Sequence, residues 1–202
     1  MTRRLIFATL GPAGSNHEYV TERYLALHDL EDSEIRLVDD FATGLAMMSS
    51  GEVDFIVQVA VHPDATDTVA RAHFEHDIRV IDAFVSPSRP LAALTRAEVE
   101  RPTSLGLQPA TAAYLNTRRW ETQVPEVSIM TVAEGLLEGR FDSGITALSV
   151  ADDHPGRFRV EEELGTVDDP WIVYGRERVS SGNVVAWPEG PAAQLYRAAL
   201  AD

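Results

Sequence analysis

The sequence predicts an α/β protein built as two lobes that face each other across a cleft. Short runs rich in β-branched residues alternate with amphipathic stretches along the chain, a pattern typical of α/β sheets. Two turn-rich segments, near 86–90 and 164–169, divide this pattern into two units, so the chain crosses between them twice. With 202 residues, 45% of them hydrophobic, the chain is long enough to bury a substantial core.

The first unit is predicted from alternating strands and helices. We expect strands at 5–9, 35–38, 54–61 and 78–85, and helices at 16–26, 41–50 and 63–73. Ser15 or Asn16 caps the first of these helices, and Glu18 places a carboxylate in its first turn, where the helix dipole favours it. Gly51 follows the second helix, as glycine often does at a helix end.

The second unit and the end of the chain continue the alternation. Strands are expected at 91–94, 104–107, 127–130 and 144–147, with helices at 109–118, 132–138 and about 148–153. Later strands are expected at 158–164, 171–174 and 184–187, followed by a helix at 191–200. We assign residues 1–85 and 168–202 to lobe 1 and residues 86–167 to lobe 2.

The composition excludes several kinds of chemistry. Because the sequence has no cysteine, thiolate nucleophiles and zinc–thiolate sites are excluded. It also has no lysine, which excludes Schiff-base mechanisms and a P-loop, and we expect no cofactor and no metal. The net charge of −15 argues against nucleic acid as a partner. No apolar run approaches the roughly 20 residues of a membrane helix, and the apolar stretch 5–8 is too short for a signal peptide, so we expect a cytoplasmic protein without a membrane partner.

Two predicted strand-to-helix turns are candidate anion-binding sites. In the first, glycines and the start of a helix bring backbone N–H groups together beside Gly14, Ser15 and Asn16, although a plain capped turn explains the same residues. In the second, Gln108 and Thr111 lie at another helix start, where an ordinary capped helix is again the alternative. Two helix N-termini facing one cleft would suit a dicarboxylate.

Other candidates come from single residues near predicted strand ends and crossings. His62 follows a buried strand and is a candidate proton donor, although a lone histidine is more often structural or exposed. Arg89 at the first crossing is a candidate carboxylate partner, and Trp171 after the second crossing is a candidate cleft wall. Gln58 and Thr146, both on predicted strands, complete the candidate substrate-binding set.

Four stretches, taken in order, resemble the catalytic domain of prephenate dehydratase. The most specific one is similar to the opening Leu-Gly-Pro-Glu-Gly-Thr motif of that family, and the likeness spans roughly residues 5–177. The stretches are Leu10-Gly11-Pro12-Ala13-Gly14-Ser15, Gly51-Glu52-Val53-Asp54-Phe55-Ile56-Val57, Gly144-Ile145-Thr146-Ala147 and Trp171-Ile172-Val173-Tyr174-Gly175-Arg176-Glu177. The resemblance implies a periplasmic-binding-protein type II-like fold with an interlobe cleft, and a homodimer.

The chain departs from this family at the residues that carry dehydration. The Thr-Arg-Phe signature falls on Asp169-Pro170-Trp171, so its threonine and arginine are both replaced. The Glu-Asn-Ser segment falls near Ala60-Val61-His62, and no regulatory ACT domain is expected after residue 202. These losses resemble the small non-aromatizing prephenate decarboxylases of bacilysin-type antibiotic biosynthesis.

The second resemblance implies binding of prephenate in the cleft and loss of carbon dioxide with the ring hydroxyl retained. His62 and Thr111 are then the candidate catalytic residues, with Gly14, Ser15, Asn16, Gln58, Arg89, Gln108, Thr146 and Trp171 around the substrate. Three alternatives stay open. They are a dehydratase whose acid is Asp169 or His62, an intracellular binding protein without turnover, and an enzyme that acts on another cyclohexadiene acid of the chorismate branch.

Overall fold

The computed structural model describes residues 3–186 and 190–200, and it confirms a two-lobed α/β fold with two mixed sheets. The described residues form ten strands. These are β1 (Ile6–Leu10), β2 (Glu34–Val38), β3 (Phe55–Val59), β4 (Arg79–Pro87), β5 (Leu91–Arg96), β6 (Ser104–Leu107), β7 (Thr122–Pro125), β8 (Ser143–Ala147), β9 (Phe158–Gly165) and β10 (Asp168–Gly175).

Six α-helices and two short 3-10 helices connect or follow the strands within the described residues. The α-helices are α1 (Asn16–Leu27), α2 (Phe41–Ser50), α3 (Ala65–Glu75), α4 (Ile129–Glu138), α5 (Ser149–Asp153) and α6 (Pro191–Ala199). The 3-10 helices are Pro109–Tyr114 and Thr117–Arg119. None of the described helices is long and apolar enough to cross a membrane.

Each sheet has five strands and mixes parallel and antiparallel pairs. The first sheet has the order β2-β1-β3-β10-β4, in which β1 lies parallel to β2 and β3 while β10 lies antiparallel to β3 and β4. The second has the order β7-β6-β8-β5-β9, with β6 parallel to both neighbours and β5 antiparallel to both of its own. The first sheet therefore contains β10, a strand that follows the whole of the second sheet in the chain.

Both faces of each sheet are packed against apolar side chains. In the first sheet, Ile56 belongs to a buried cluster with α2 on one face, and Trp171 to a second cluster with α1 on the other. In the second sheet, every residue of β8 is buried, because α4 covers one face and the cluster around Trp120 covers the other. Burial on both faces explains why β3 begins with the continuous apolar run Phe55-Ile56-Val57.

The two crossings between the sheets are hydrogen-bonded to each other. The backbone N–H of Ser88 donates to the Val167 carbonyl at 2.8 Å, and the Val167 N–H donates to the Ser88 hydroxyl at 3.0 Å. Ser88 follows β4, and Val167 lies between β9 and β10. The two connections therefore run side by side as a bonded pair.

Three sequence-based predictions of local structure are wrong. Residues 127–130 are not a strand, because Ser128 caps α4 by accepting the Thr131 N–H at 3.1 Å and the chain turns helical at Ile129. The helix predicted at 109–118 is two separate 3-10 helices instead. Residues 184–186 of the strand predicted at 184–187 are irregular, and Trp187 lies outside the described residues.

Candidate functional site

A cleft of about 170 Å³ lies between residues of the two sheets, at the carboxyl ends of β1, β3 and β6. The first sheet and its helices contribute polar residues to one wall, and the second sheet contributes those of the opposite wall. The polar lining residues of the first group are Ser15, Asn16, His17, His62, Ser88 and Asp169, and those of the second are Gln108, Thr111, Tyr114 and Ser128. Five of the predicted site residues are thus brought together, namely Ser15, Asn16, His62, Gln108 and Thr111.

The first turn of α1 satisfies most of its own polar groups. The Ser15 hydroxyl donates to the Leu10 carbonyl at 2.9 Å and accepts the Glu18 N–H at 3.2 Å. The Gly14 N–H donates to the Glu18 carboxylate, so a protein carboxylate already occupies this helix N-terminus. Gly14 itself has a φ of 79°, which favours glycine, and it does not line the cleft.

The second predicted turn is also capped from within. The Gln108 side-chain oxygen accepts the Ala110 N–H at 2.7 Å, and the Thr111 hydroxyl donates to the Gln108 carbonyl at 2.8 Å. Thr111 is buried, yet it lines the cleft. Its hydroxyl oxygen keeps the capacity to accept a further hydrogen bond, and the Gln108 amide N–H₂ keeps two donors.

A third helix start, which sequence reasoning missed, also faces the cleft. Ser128 and Ile129 line it at the N-terminus of α4, a helix of 10 residues with no acidic residue in its first turn. The first N–H groups of a helix have no intrahelical acceptor and carry partial positive charge. Thr146 lies behind this turn, fully buried, and its hydroxyl donates to the Ile129 carbonyl at 2.6 Å. The serine-to-threonine spacing at 128–131 was the available sequence signal.

His62 lines the cleft in a half-buried position next to α3. Its Nδ1 accepts the Asp64 N–H at 3.2 Å, so the neutral ring carries its proton on Nε2. Burial lowers the pKa of His62, and the Asp64 carboxylate, 3.8 Å from Nδ1, opposes that effect. The ring is therefore neutral at neutral pH, with a carboxylate placed to stabilise its protonated form.

His17 is a second cleft histidine, which was not among the residues predicted from the sequence although it directly follows Asn16. Its ring centroid lies 5.2 Å from Trp171, 5.8 Å from Phe41 and 6.1 Å from His62. Burial, reinforced by the neighbouring His62, lowers the pKa of His17 to about 3. Its Nε2 atom is buried and has no hydrogen-bond partner among the described residues.

Asp169 supplies the cleft with a carboxyl group at the start of β10. Burial raises the pKa of this carboxyl, and the adjacent Asp168 raises it further. Tyr114 on the opposite wall is close enough for Asp169 to raise its phenol pKa, in addition to the effect of burial. Asp169 was named from the sequence as the acid of a dehydratase alternative, because it aligns with the threonine of the dehydratase signature.

The other predicted residues lie outside the cleft lining. Gln58 is fully buried, with its amide bonded to Thr68 at 3.2 Å and its oxygen accepting from the Tyr174 hydroxyl at 2.6 Å. Trp171 is buried edge-on behind His17, so it supports the cleft wall from one layer below. Arg89 holds Asn16 through its backbone N–H at 2.9 Å.

The Arg89 guanidinium lies over the Tyr19 ring at 4.7 Å, and no carboxylate among the described residues pairs with it. No arginine is among the residues that line the cleft. Within residues 3–186 and 190–200, no group of three or more metal-ligating side chains converges. The cleft therefore offers hydroxyls, helix N–H groups, two side-chain amides, two imidazoles and one carboxyl.

Comparison with known proteins supports the fold. No protein-family model matches the chain, and no curated protein matches it. Among solved structures, prephenate dehydratase from Arthrobacter aurescens in complex with L-Phe matches with a TM-score of 0.67 and 19% identity, over 95% of this chain and 70% of that one. GqqA, described as a novel type of quorum quenching acylase, matches with a TM-score of 0.54 and 14% identity, over 96% and 74% of the two chains.

An ABC transporter protein from Parabacteroides distasonis matches with a TM-score of 0.54 and 15% identity, over 100% of this chain and 71% of that one. Together these neighbours confirm the predicted two-lobed, periplasmic-binding-protein type II-like fold, which prephenate dehydratase shares. Because the neighbours differ in their described activities, the likeness establishes the architecture alone. The chemistry has to be inferred from the residues that line the cleft.

Proposed function

We propose that this protein is a cofactor-independent lyase that acts on prephenate, removing carbon dioxide and retaining the ring hydroxyl. The product would be a dihydro-4-hydroxyphenylpyruvate, a precursor suited to antibiotic or non-proteinogenic amino acid biosynthesis. The observation that carries the proposal is that Asp169 lines the cleft and is followed by Pro170, where the dehydratase signature has threonine and arginine. Proline has no charge and no N–H group to offer a leaving hydroxide.

The wall formed by the second sheet supplies the groups that suit the substrate carboxylates. The N-terminus of α4 presents unpaired N–H groups beside Ser128, and no side-chain carboxylate in its first turn competes for them. Thr111 and Gln108 lie on the same wall and add a hydroxyl and an amide. The unpartnered His17 nitrogen on the facing wall is independent support for a ligand there, because a buried polar atom costs stability unless it finds a partner.

The proposed reaction balances without an electron-sink cofactor. The bond between the ring carbon and its carboxylate breaks, carbon dioxide leaves, and the electron pair delocalises through the two ring double bonds. One proton then forms a new carbon–hydrogen bond on the ring, and the hydroxyl stays in place. The enzyme therefore has to hold two carboxylates, exclude water and deliver one proton.

His62 is the proposed proton donor. A bound dianion raises the pKa of a neighbouring imidazole, so prephenate itself favours protonation of the ring that burial keeps neutral. Protonation of Nδ1 ends its acceptance of the Asp64 N–H and lets it donate instead to the Asp64 carboxylate, 3.8 Å away, so the Nε2 proton is the one available to the substrate. After the transfer, the ring is left neutral with its proton next to that carboxylate.

The test is to incubate the purified protein with prephenate at neutral pH and to identify the product by NMR and mass spectrometry. Carbon dioxide release with a non-aromatic, hydroxylated product supports the proposal. His62→Asn should lower that rate by about 100-fold, within the range for loss of a general acid. His73→Asn, an exposed histidine on α3, is the matched control and should keep the wild-type rate.

Thr111→Ala should raise KM at least several-fold, since it removes a cleft hydroxyl. Thr43→Ala, an exposed threonine on α2, is its control. Wild-type kinetics in both His62→Asn and Thr111→Ala would remove these residues from the site. Prephenate returned unchanged by the wild-type protein would refute the reaction and favour a binding role.

A dehydratase is the second candidate, and the raised pKa of Asp169 favours it. A carboxyl group that stays protonated at higher pH can protonate a leaving hydroxyl. This reading predicts phenylpyruvate above the spontaneous background, and it predicts that Asp169→Asn abolishes it. Asp153→Asn, an exposed aspartate on α5, should leave phenylpyruvate formation unchanged.

A further inference from the structure

The cleft is lined by an imidazole whose buried Nε2 atom has no hydrogen-bond partner among the described residues. His17 lines the cleft from the first turn of α1, and aromatic rings surround it on several sides. One of its two ring nitrogens must carry a proton in the neutral form. Since the buried Nε2 atom forms no hydrogen bond with the described residues, an occupant of the cleft is the partner that this ring can find.

The imidazole of His17 is neutral at neutral pH. Burial is the main reason, and the neighbouring His62 adds to it, so the pKa falls to about 3. The ring also lies in the first turn of α1, where the positive end of the helix dipole disfavours a second positive charge. A neutral imidazole can donate a hydrogen bond, but it is a very weak acid.

The anionic end of a substrate is drawn to the other wall. At α1 the Glu18 carboxylate already accepts the Gly14 N–H, so this helix N-terminus is occupied and carries negative charge. Asp169 lies on the same side of the cleft. The N-terminus of α4 on the opposite wall has no acidic residue in its first turn. The end of the substrate that faces His17 is therefore the uncharged end.

We propose that His17 is a specificity-determining residue that binds the ring hydroxyl of a cyclohexadienol acid through a neutral N–H. This inference rests on the proposed function, because it takes a carboxylated ring with a hydroxyl at its far end as the ligand. The contact fixes the orientation of the ring. It also explains how the hydroxyl is retained, since a neutral imidazole holds the oxygen without donating the proton that hydroxide would need in order to leave.

The test compares two stable ring acids that differ only in the ring oxygen, 4-hydroxyphenylpyruvate and phenylpyruvate. Calorimetric titration at neutral pH should show that the wild-type protein binds the hydroxylated acid about five-fold more tightly, as one neutral hydrogen bond implies. His17→Phe keeps a ring of similar size and should reduce this ratio to about one. His17→Gln restores a neutral donor and should recover the preference.

His73→Phe, on the exposed surface of α3, is the matched control and should keep the wild-type ratio. Should His17→Phe fail to fold, a ¹⁵N-histidine NMR titration of the wild-type protein replaces it. The His17 ring nitrogens should shift with 4-hydroxyphenylpyruvate and stay in place with phenylpyruvate. Equal wild-type affinities, or a preference that survives in His17→Phe, would overturn the role of His17.

The outcome for His17 is separate from the outcome for the reaction. A protein that leaves prephenate unchanged but prefers the hydroxylated acid through His17 refutes the reaction and supports the contact. A protein that forms the dihydro product while binding both acids equally supports the reaction and overturns the contact.

Discussion

Tyr174→Phe should destabilise the protein while leaving the cleft intact. The change deletes one hydroxyl from a fully buried side chain on β10. That hydroxyl donates to the Gln58 oxygen at 2.6 Å, so its loss leaves a buried amide oxygen without this partner. A buried acceptor left unsatisfied costs about 1–3 kcal/mol. For a protein of this size each kcal/mol lowers Tm by about 2–4 °C.

Urea and thermal denaturation measure this cost, and a double-mutant cycle isolates the pair. Gln58→Leu alone should also destabilise the protein, because it leaves the Tyr174 hydroxyl and the Thr68 hydroxyl without their amide partner. The double variant should cost clearly less than the sum, since it removes both ends of the bond. Tyr196→Phe, on an exposed residue of α6, is the matched control and should change stability by less than about 0.5 kcal/mol.

A Tyr174→Phe cost no larger than that of Tyr196→Phe, or additive costs in the cycle, would refute this account of the buried pair. The same variants also test the prediction that Gln58 binds the substrate. If the bonds seen in the fold are its main role, Tyr174→Phe leaves the KM for prephenate within about two-fold of wild type. A large rise in KM would show that Gln58 reaches the substrate.

Three further predictions concern stability. Asp169→Asn should stabilise the protein at pH 7, because the pKa of the Asp169 carboxyl is raised in the fold and its ionised form opposes folding. In urea titrations this gain in stability should vanish below about pH 4, where the carboxyl is protonated in the unfolded chain as well. Asp142→Asn should destabilise the protein at pH 7. Burial alone would raise the pKa of Asp142, but hydrogen bonds from Thr103 and Ser104 outweigh burial and lower it. The wild-type protein is therefore more stable than the variant above about pH 4, and this difference is lost as pH falls through the pKa of Asp142 in the fold. Gly144→Ala should cost about 1–3 kcal/mol in urea denaturation, because its Cβ would lie 2.6 Å from Val132 Cγ1 in a packed core.

The elements of the fold were largely predictable because their signals are local. The helix at 41–50 has the bounds that its sequence indicated, since Asp40 caps its start and Gly51 adopts the left-handed conformation at its end. Residues 127–130 were wrongly predicted as a strand, because β-branched residues there overlap the cap at the start of α4. At this point the hydrogen bond between Ser128 and Thr131 decided the structure, and the capping spacing was the better guide.

The site was partly predictable, because strand ends gather at one edge of a sheet. His62 follows β3 of the first sheet and Thr111 follows β6 of the second, and the cleft lies where these two edges face each other. The gathering of strand ends does not say which way a side chain points, and Gln58 and Thr146 point into their own lobes and bond there. The surroundings of His17 depend on residues far away in the sequence, such as Phe41 and Trp171, so no local pattern reveals them.

The bonded pair of crossings has a mechanical consequence. Ser88 and Val167 are tied by two hydrogen bonds, and Ser88 is also part of the cleft wall. Any change in the angle between the sheets therefore pivots beside the ligand, where small rotations move atoms least. A rotation about this pair would thus leave the cleft wall at Ser88 almost unmoved while the angle between the sheets changes.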